Sequence, residues 1–363
     1  RQADKVGQLF LIAFPGSDLG QGSDIAQLVQ ILRVGGTILS PSYENFGNGA
    51  FAPMQVLSLT TGLQELAFTS SYPVTLTLAV PVTVTLPVGA TPSPSGRETI
   101  TATTMVTYTE VITRPPQGIP LFTAVSQEGD GYPYTSLRGG FTHLPSNMAV
   151  GATWNDAHAR AFGMIVGGEL EAVGVNLLLG PSLDILSEPR PGQSGDLGTR
   201  VFGGDPYWVG VMGTAYIRGV HEGSANRMAT VVKHFPGLGG SDRPVNLEVA
   251  TVRRSLEELQ NVELVPFFAA AQADEDGRSH VTDAMMTAHA RYGAVRTTAK
   301  PLSFDAEVMH TLMNLPEMVT WRDQGGVIFS DALGVPAVRK YSDPFLKTFN
   351  HRYIAREAFN AGN

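Results

Sequence analysis

Residues 228–249 read "MATVVKHFPGLGGSDRPVNLEV", and this order of residue types decides the fold. A short apolar run from Met228 to Val232 is followed by Lys233 and His234, then by a Pro-Gly turn. An apolar run without alternation marks a strand buried on both faces, and its polar end marks the point where it leaves the core. The same order recurs in "LFTAVSQEG" (Leu121–Gly129), "VNLLLGPSLD" (Val175–Asp184), "DAMMTAHARY" (Asp283–Tyr292) and "GGVIFSDAL" (Gly325–Leu333). Amphipathic stretches lie between, among them "NDAHARAFGMIVGGELEAVG" and "RRSLEELQNVELVPFFAAA". Serial strand–helix units of this kind predict a parallel sheet covered on both faces. Five or more of them, each with polar residues at the strand's C-terminal end, favour a TIM-like (β/α)8 barrel, an α/β fold, over an open doubly wound sheet.

The first segment, "ADKVGQLFLIAF" then "IAQLVQILRVGGTILS", reads as helix, loop, helix and a short buried strand at Gly36–Ser40. If that is strand one, the last barrel strand is not evident: after Gly325–Leu333 come only a loop and the helical "YIAREAFNAGN". Either the polypeptide continues or another segment completes the sheet. Between the barrel units, Tyr72–Pro116 alternates Val, Leu and Ile with Thr and carries turn residues at Gly89–Gly96, the period-2 signature of a long β-hairpin. The domain reading is therefore 1–71 as barrel start, 72–116 as inserted hairpin and 117–363 as the remainder of the barrel. The hairpin is either an exposed decoration or an arm for homo-oligomerisation, since a long exposed edge invites pairing.

The chain has 363 residues and a net charge of -8, with no basic run longer than Arg253-Arg254. A nucleic-acid groove, which needs clustered cations, is not expected. No apolar stretch reaches the ~18 residues of a membrane span. Cysteine is absent, which excludes disulfides and thiolate metal sites. There is no HExxH, no paired histidine at metal spacing and no EF-hand loop, so neither metal nor cofactor is expected. The glycine-rich "GGFTHLP" and "GLGGSD" match no dinucleotide or P-loop pattern, and without GxSxG a serine hydrolase is not indicated. Only 16% of residues are charged, below the usual ~25%. That surface chemistry, with a first residue other than Met, leads to an expected extracellular or cell-envelope location with an export signal removed, the cytoplasm being the alternative.

The strand C-termini nominate Glu128, Asp184, Arg200, Lys233, His234, His289 and Asp331, because active sites of such barrels sit on that rim. Asp331 directly follows an apolar run; the competing reading is a helix N-cap in "SDAL". Lys233 and His234 are neighbours, so both reach one pocket only if the strand is twisted or bulged there; His234 could equally be a satisfied structural histidine. His289 in "TAHARY" either binds a ligand or hydrogen-bonds within the rim.

Taken together, "KVGQLFL", "SQEGDG", "GGFTHLPSNMAVGAT", "GVNLLLGPSLDI", "GTRVFGGDP", "VVKHFPGLG", "MMTAHARY", "GGVIFSDAL" and "AREAFNAGN" resemble glycoside hydrolase family 3 in its N-acetylglucosaminidase-like branch. The resemblance covers nearly the whole chain except Tyr72–Pro116. It implies a retaining exo-glycosidase acting on terminal β-linked sugars, β-N-acetylhexosaminides first. A carboxylate attacks the anomeric carbon and water later releases the sugar, while a second group protonates the leaving oxygen. On the resemblance Asp331 is the nucleophile, and Arg200, Lys233 and His234 hold sugar hydroxyls. Asp184 stands near the sugar or supports the basic residues.

Two departures stand out. In the family branch the loop continues to an Asp-x-His pair whose histidine is the acid/base; an ungapped count from Lys233 puts Pro244 and Asn246 at those positions. Asn cannot exchange a proton at neutral pH, which leaves Asp242 and Glu248 as replacement candidates. Asp242 adjoins Arg243, which suits a structural ion pair; Glu248 would need burial to raise its pKa. Second, Ser126 stands where the family usually has an Asp that grips a hydroxyl of the terminal sugar, and Arg138 is the nearest substitute for a displaced arginine. These losses raise the alternative of a catalytically weak or inactive sugar-binding protein on a hydrolase scaffold. A third reading brings the acid from residues beyond Asn363 or from a neighbouring subunit.

Overall fold

The computed structural model describes residues 2–68, 72–87, 99–114, 118–129, 134–190, 197–245, 247–275, 277 and 279–363, with backbone alone for 2–3, 72–87 and 99–114. The chain divides into two compact units. One comprises Arg1–Phe10, Asp18–Gly35 and Gly62–Leu121; the other comprises Leu11–Ser17, Gly36–Thr61 and Phe122–Asn363.

The second unit is built on one sheet of seven strands. In chain order these are β1 (Leu11–Ala13), β2 (Gly36–Ile38), β3 (Phe122–Val125), β4 (Leu177–Leu178), β5 (Ala229–Phe235), β6 (Ala284–Thr287) and β7 (Val327–Ser330). Each pairs in parallel with its neighbour in the sequence of strands. Helices return the chain between strands, as in Asp156–Ala172 and Pro206–Gly223. This is the curled sheet of a TIM-like barrel. Among the described residues it stays open between β1 and β7.

The five strands expected from Leu121 onward form where their apolar runs lie. Val231, Val232 and Phe235 on β5 and Met285 on β6 are fully buried, so the middle of the sheet sees no water on either face. The amino-terminal reading needs one correction. Leu11–Ala13, expected to be helical, is a strand, and Gly36–Ile38 is therefore the second strand rather than the first. Three residues are too few to display any period, and only pairing with Gly36–Ile38 makes them a strand.

Helix Asp156–Ala172 crosses helix Pro206–Gly223 closely. A Cβ on Gly163 would lie 2.1 Å from the Tyr216 carbonyl oxygen, and one on Gly219 would lie 2.1 Å from that of Arg160. The backbones approach because neither position carries a side chain. Their N-termini are capped by Asn155 and Asp205, which satisfy first-turn amides.

In the first unit, Ser23 caps helix Asp24–Gln30. The strand Tyr72–Pro87 pairs antiparallel with Thr99–Arg114, in register from Tyr72↔Arg114 to Pro87↔Thr99. The turn residues Gly89–Gly96 lie outside the described residues. No helix among those described is long and apolar enough to cross a membrane.

Candidate active site

Six of the seven nominated residues end or follow the carboxyl ends of barrel strands, and two buried charge pairs organise them. The ladder from β5 to β6 shifts register between Lys233 and Phe235, the irregularity needed for adjacent residues to serve one site. The Lys233–His234 peptide is cis. Lys233 Nζ lies 3.0 Å from Glu128 Oε1 and donates to the Leu179 carbonyl at 2.7 Å. Lys233, Glu128 and His234 are all buried.

His234 faces Asp184 across β4 and β5, with Nδ1 to Oδ2 at 2.8 Å. Asp184 is 0% exposed and is met from several directions. Ser182 Oγ donates to it at 2.9 Å, and the backbone N–H groups of Leu238 and His234 donate at 2.8 and 3.3 Å. Burial opposes its charge, yet the His234 contact, the nearby Arg200 guanidinium and the Leu238 N–H outweigh that and bring its pKa down to about 2. Asp184 therefore holds His234 from a fully buried position.

Asp331 sits at the mouth of β7, half-buried. Its Oδ1 accepts from the Ala332 N–H at 2.7 Å. The helix that follows begins only at Pro336, with Val335 before it, so Asp331 is not that helix's N-cap. Burial pushes its carboxyl up, but His289, His234, the Ala332 N–H and Lys233 together hold it below the usual carboxylate range. His289 is buried between Ser303 Oγ at 2.7 Å and the Ala332 carbonyl at 3.2 Å, and burial lowers its pKa. It thus hydrogen-bonds within the rim, in its neutral form at pH 7.

Arg200 lies half-buried in a short 3-10 turn, Gly198–Arg200. Its guanidinium carbon is 5.0 Å from the centroid of the Tyr134 ring, an arrangement that keeps the cation in place. The Asn147 side chain donates to the Arg200 carbonyl at 2.8 Å. Neither Tyr134 nor Asn147 carried a signal in the sequence that would have named it.

The loop after β5 is packed against what precedes it. A Cβ on Gly239 would fall 1.8 Å from the Ile185 carbonyl oxygen, so only glycine fits beside the Asp184 segment. Beneath the loop, Arg254 Nε meets the fully buried Glu263 carboxylate at 2.5 Å, a support hidden in the sequence inside an ordinary amphipathic stretch. Asp242 and Glu248 both face Arg243. Asp242 pairs with it at 3.1 Å and accepts the Thr251 N–H at 2.8 Å; though burial pushes the other way, these contacts lower its pKa. Glu248 lies 3.5 Å from Arg243 and 3.7 Å from Lys340, with its side chain 54% exposed. Pro244 is half-buried; Asn246 lies outside the described residues. Ser126 is half-buried, its carbonyl accepting the Ser136 N–H at 3.0 Å, and Arg138 is exposed. Among the described residues no cluster of three or more His, Cys, Asp or Glu could hold a metal.

The arrangement offers an ionised carboxylate beside fixed cationic donors, which suits attack at an electron-poor carbon next to hydroxyl groups. A curated beta-hexosaminidase of Pseudomonas aeruginosa is 32% identical over 224 residues, 61% of this chain and 60% of that protein; one from Xylella fastidiosa strain 9a5c is 33% identical over 226 residues, with the same shares. The match thus spans about 60% of the length of these relatives. Among solved structures, a glycoside hydrolase family 3 beta-N-acetylglucosaminidase from Paenibacillus sp. strain FPU-7 has a TM-score of 0.72 and 27% identity, covering 100% of this chain and 53% of that one. A fungal multi-domain beta-N-acetylglucosaminidase of family 3 has the same score and identity, with 99% of this chain and 34% of that one covered. The model of the glycosyl hydrolase family 3 N-terminal domain matches residues 89–362, and with the parallel barrel sheet and the rim of charged residues this places the chain in glycosyl hydrolase family 3, as its N-terminal domain.

Proposed function

We propose that this chain hydrolyses terminal β-linked sugars, β-N-acetylhexosaminides foremost, by a retaining mechanism on Asp331. The observation that carries the reading is the place of the Asp331 carboxyl, half-buried at the mouth of β7 and accepting the Ala332 N–H at 2.7 Å, where His289, His234 and Lys233 help to hold its pKa below the usual carboxylate range. An ionised, half-exposed carboxylate is a competent nucleophile toward an anomeric carbon. In this reading Asp331 forms the glycosyl bond as the aglycone oxygen leaves, and water then displaces the carboxylate. Lys233, His234 and Arg200 hold the sugar hydroxyls. Glu128 and Asp184 fix the first two through charge-assisted hydrogen bonds, and His289 shapes the rim.

Protonation of the leaving oxygen is the weak step. A general acid needs its pKa raised, whereas the Arg243 contact helps to lower that of Asp242. Aryl glycosides, whose leaving groups need little proton help, should therefore be turned over far better than alkyl ones. The deciding experiment is Asp331→Asn against an aryl β-N-acetylglucosaminide, with a drop in kcat/KM of at least about 10³-fold expected. Unchanged turnover would sink the assignment.

The same Arg243 contacts favour a second reading, a sugar-binding domain with little or no turnover. Calorimetry with N-acetylglucosamine beside the aryl-glycoside assay separates the two. Binding without turnover of any activated glycoside selects the second.

A further inference from the structure

Three aromatic side chains stand together at one end of the close helix pair. The Trp154 and Trp208 rings are 5.2 Å apart and nearly perpendicular at 88°, and Tyr207 lies 5.7 Å from Trp208 at 77°. Trp154 is 59% exposed and Tyr207 66%. Trp154 also has φ 52°, a left-handed conformation that bulky L side chains disfavour. Asn or Gly would turn this corner with less strain, and an indole normally covers most of its surface. The edge-to-face contacts hold the rings together, and the exposed surface of Trp154 and Tyr207 remains open to a ligand.

The trio stands on the face of the barrel that carries the candidate site. Helices Asp156–Ala172 and Pro206–Gly223 start on the side where the strands end, because each leads from one strand's end to the next strand's beginning. Asn147, whose side chain holds the Arg200 carbonyl, opens helix Asn147–Gly151. The Trp154 N–H donates to the Gly151 carbonyl at 3.1 Å, just past that helix. A continuous run thus leads from Arg200 through Asn147 and Gly151 to Trp154 and on to Trp208.

We propose that Trp154, Tyr207 and Trp208 form a stacking platform for the outer rings of a neutral β-linked glycan whose terminal sugar sits at Asp331, a proposal that rests on the reading above. A β-linked pyranose with equatorial substituents presents an apolar face of axial C–H groups, which lies on an aromatic ring while its hydroxyls stay in water. Asp156 stands beside Trp154 and Asp205 accepts the Trp208 N–H, while the run ends at Arg200; the class of polymer is set by the reading above, which puts a neutral N-acetylhexosamine at Asp331.

The test uses the full chain and its Trp154→Ala, Trp154→Phe and Tyr207→Ala variants. Calorimetry measures affinity for the β-1,4-linked N-acetylglucosamine tetramer and for the monomer, and an aryl monosaccharide glycoside reports turnover. Trp154→Ala and Tyr207→Ala should each weaken tetramer binding about tenfold, leave monomer binding and aryl-glycoside turnover unchanged, and be partly restored in Trp154→Phe. Should Trp154→Ala fail to fold, the exposed Tyr207→Ala decides alone. Equal tetramer affinity in variant and parent overturns the platform, as does a parent that binds tetramer no better than monomer. The catalytic reading fails separately: a parent with no turnover of any aryl glycoside, yet a tetramer preference lost in the variants, keeps the platform and removes the enzyme.

Discussion

Asp184 shows how much one buried carboxylate can organise. It is charged with no access to water, and it survives because His234, Ser182 and two backbone N–H groups surround it. Replacing it with Asn leaves His234 and the amides short of their partner and should cost about 3 kcal/mol of stability. Its pKa is depressed from 3.8 to about 2. A depressed carboxylate contributes stability above its unfolded pKa and loses it as pH falls through the folded value. Denaturant melts between pH 4 and 2 should therefore show an acid-driven loss of roughly 2 kcal/mol from this residue, absent in Asp184→Asn. At this scale the sequence was partly legible. Lys233 and His234 announce themselves as polar residues ending an apolar run, whereas their partners Glu128 and Asp184 stand more than forty positions away, and nothing in spacing pairs them. The acid/base candidates were legible in part: the Asp242–Arg243 ion pair was expected from adjacency and forms, whereas the Thr251 N–H that also holds the Asp242 carboxylate down comes from a later segment of the loop.

The middle strands declared themselves because short, mainly apolar runs ending in polar residues need burial on both faces. Leu11–Ala13 did not, since its conformation is imposed by its neighbour Gly36–Ile38. The register shift at Lys233/Phe235 was expected as a requirement of the chemistry, and the ladder contains it. The helix pair is a matter of approach distance. With Gly163 and Gly219 set against opposing carbonyls, Gly163→Ala must push the helices apart despite alanine's better helix propensity. The overpacking should cost about 1–3 kcal/mol, read as a fall in the denaturant midpoint at unchanged m-value. A neutral or stabilising result would mean that the helices separate freely.

Across the sheet, protection should follow position. Strands β4, β5 and β6 have partners on both sides, while β1 and β7 each have one among the described residues. Val327 on β7 is 49% exposed and Val231 on β5 is fully buried. Native-state hydrogen exchange should release β1 and β7 amides through local opening, about 10²-fold or more faster than those of β5, which exchange only on global unfolding. Uniform protection across all seven strands would contradict an open edge. By itself, the sequence determined the class of the fold and the rim on which chemistry would sit. Burial needs are local, and a strand buried on both faces with a polar end can be read from a few consecutive residues. Only the tertiary structure decided which charges face one another, that His289 stays neutral in the rim, and that Asp184 holds His234 from a fully buried position. Those outcomes depend on distance and on the removal of water, and both arise only when segments remote in the chain are brought together.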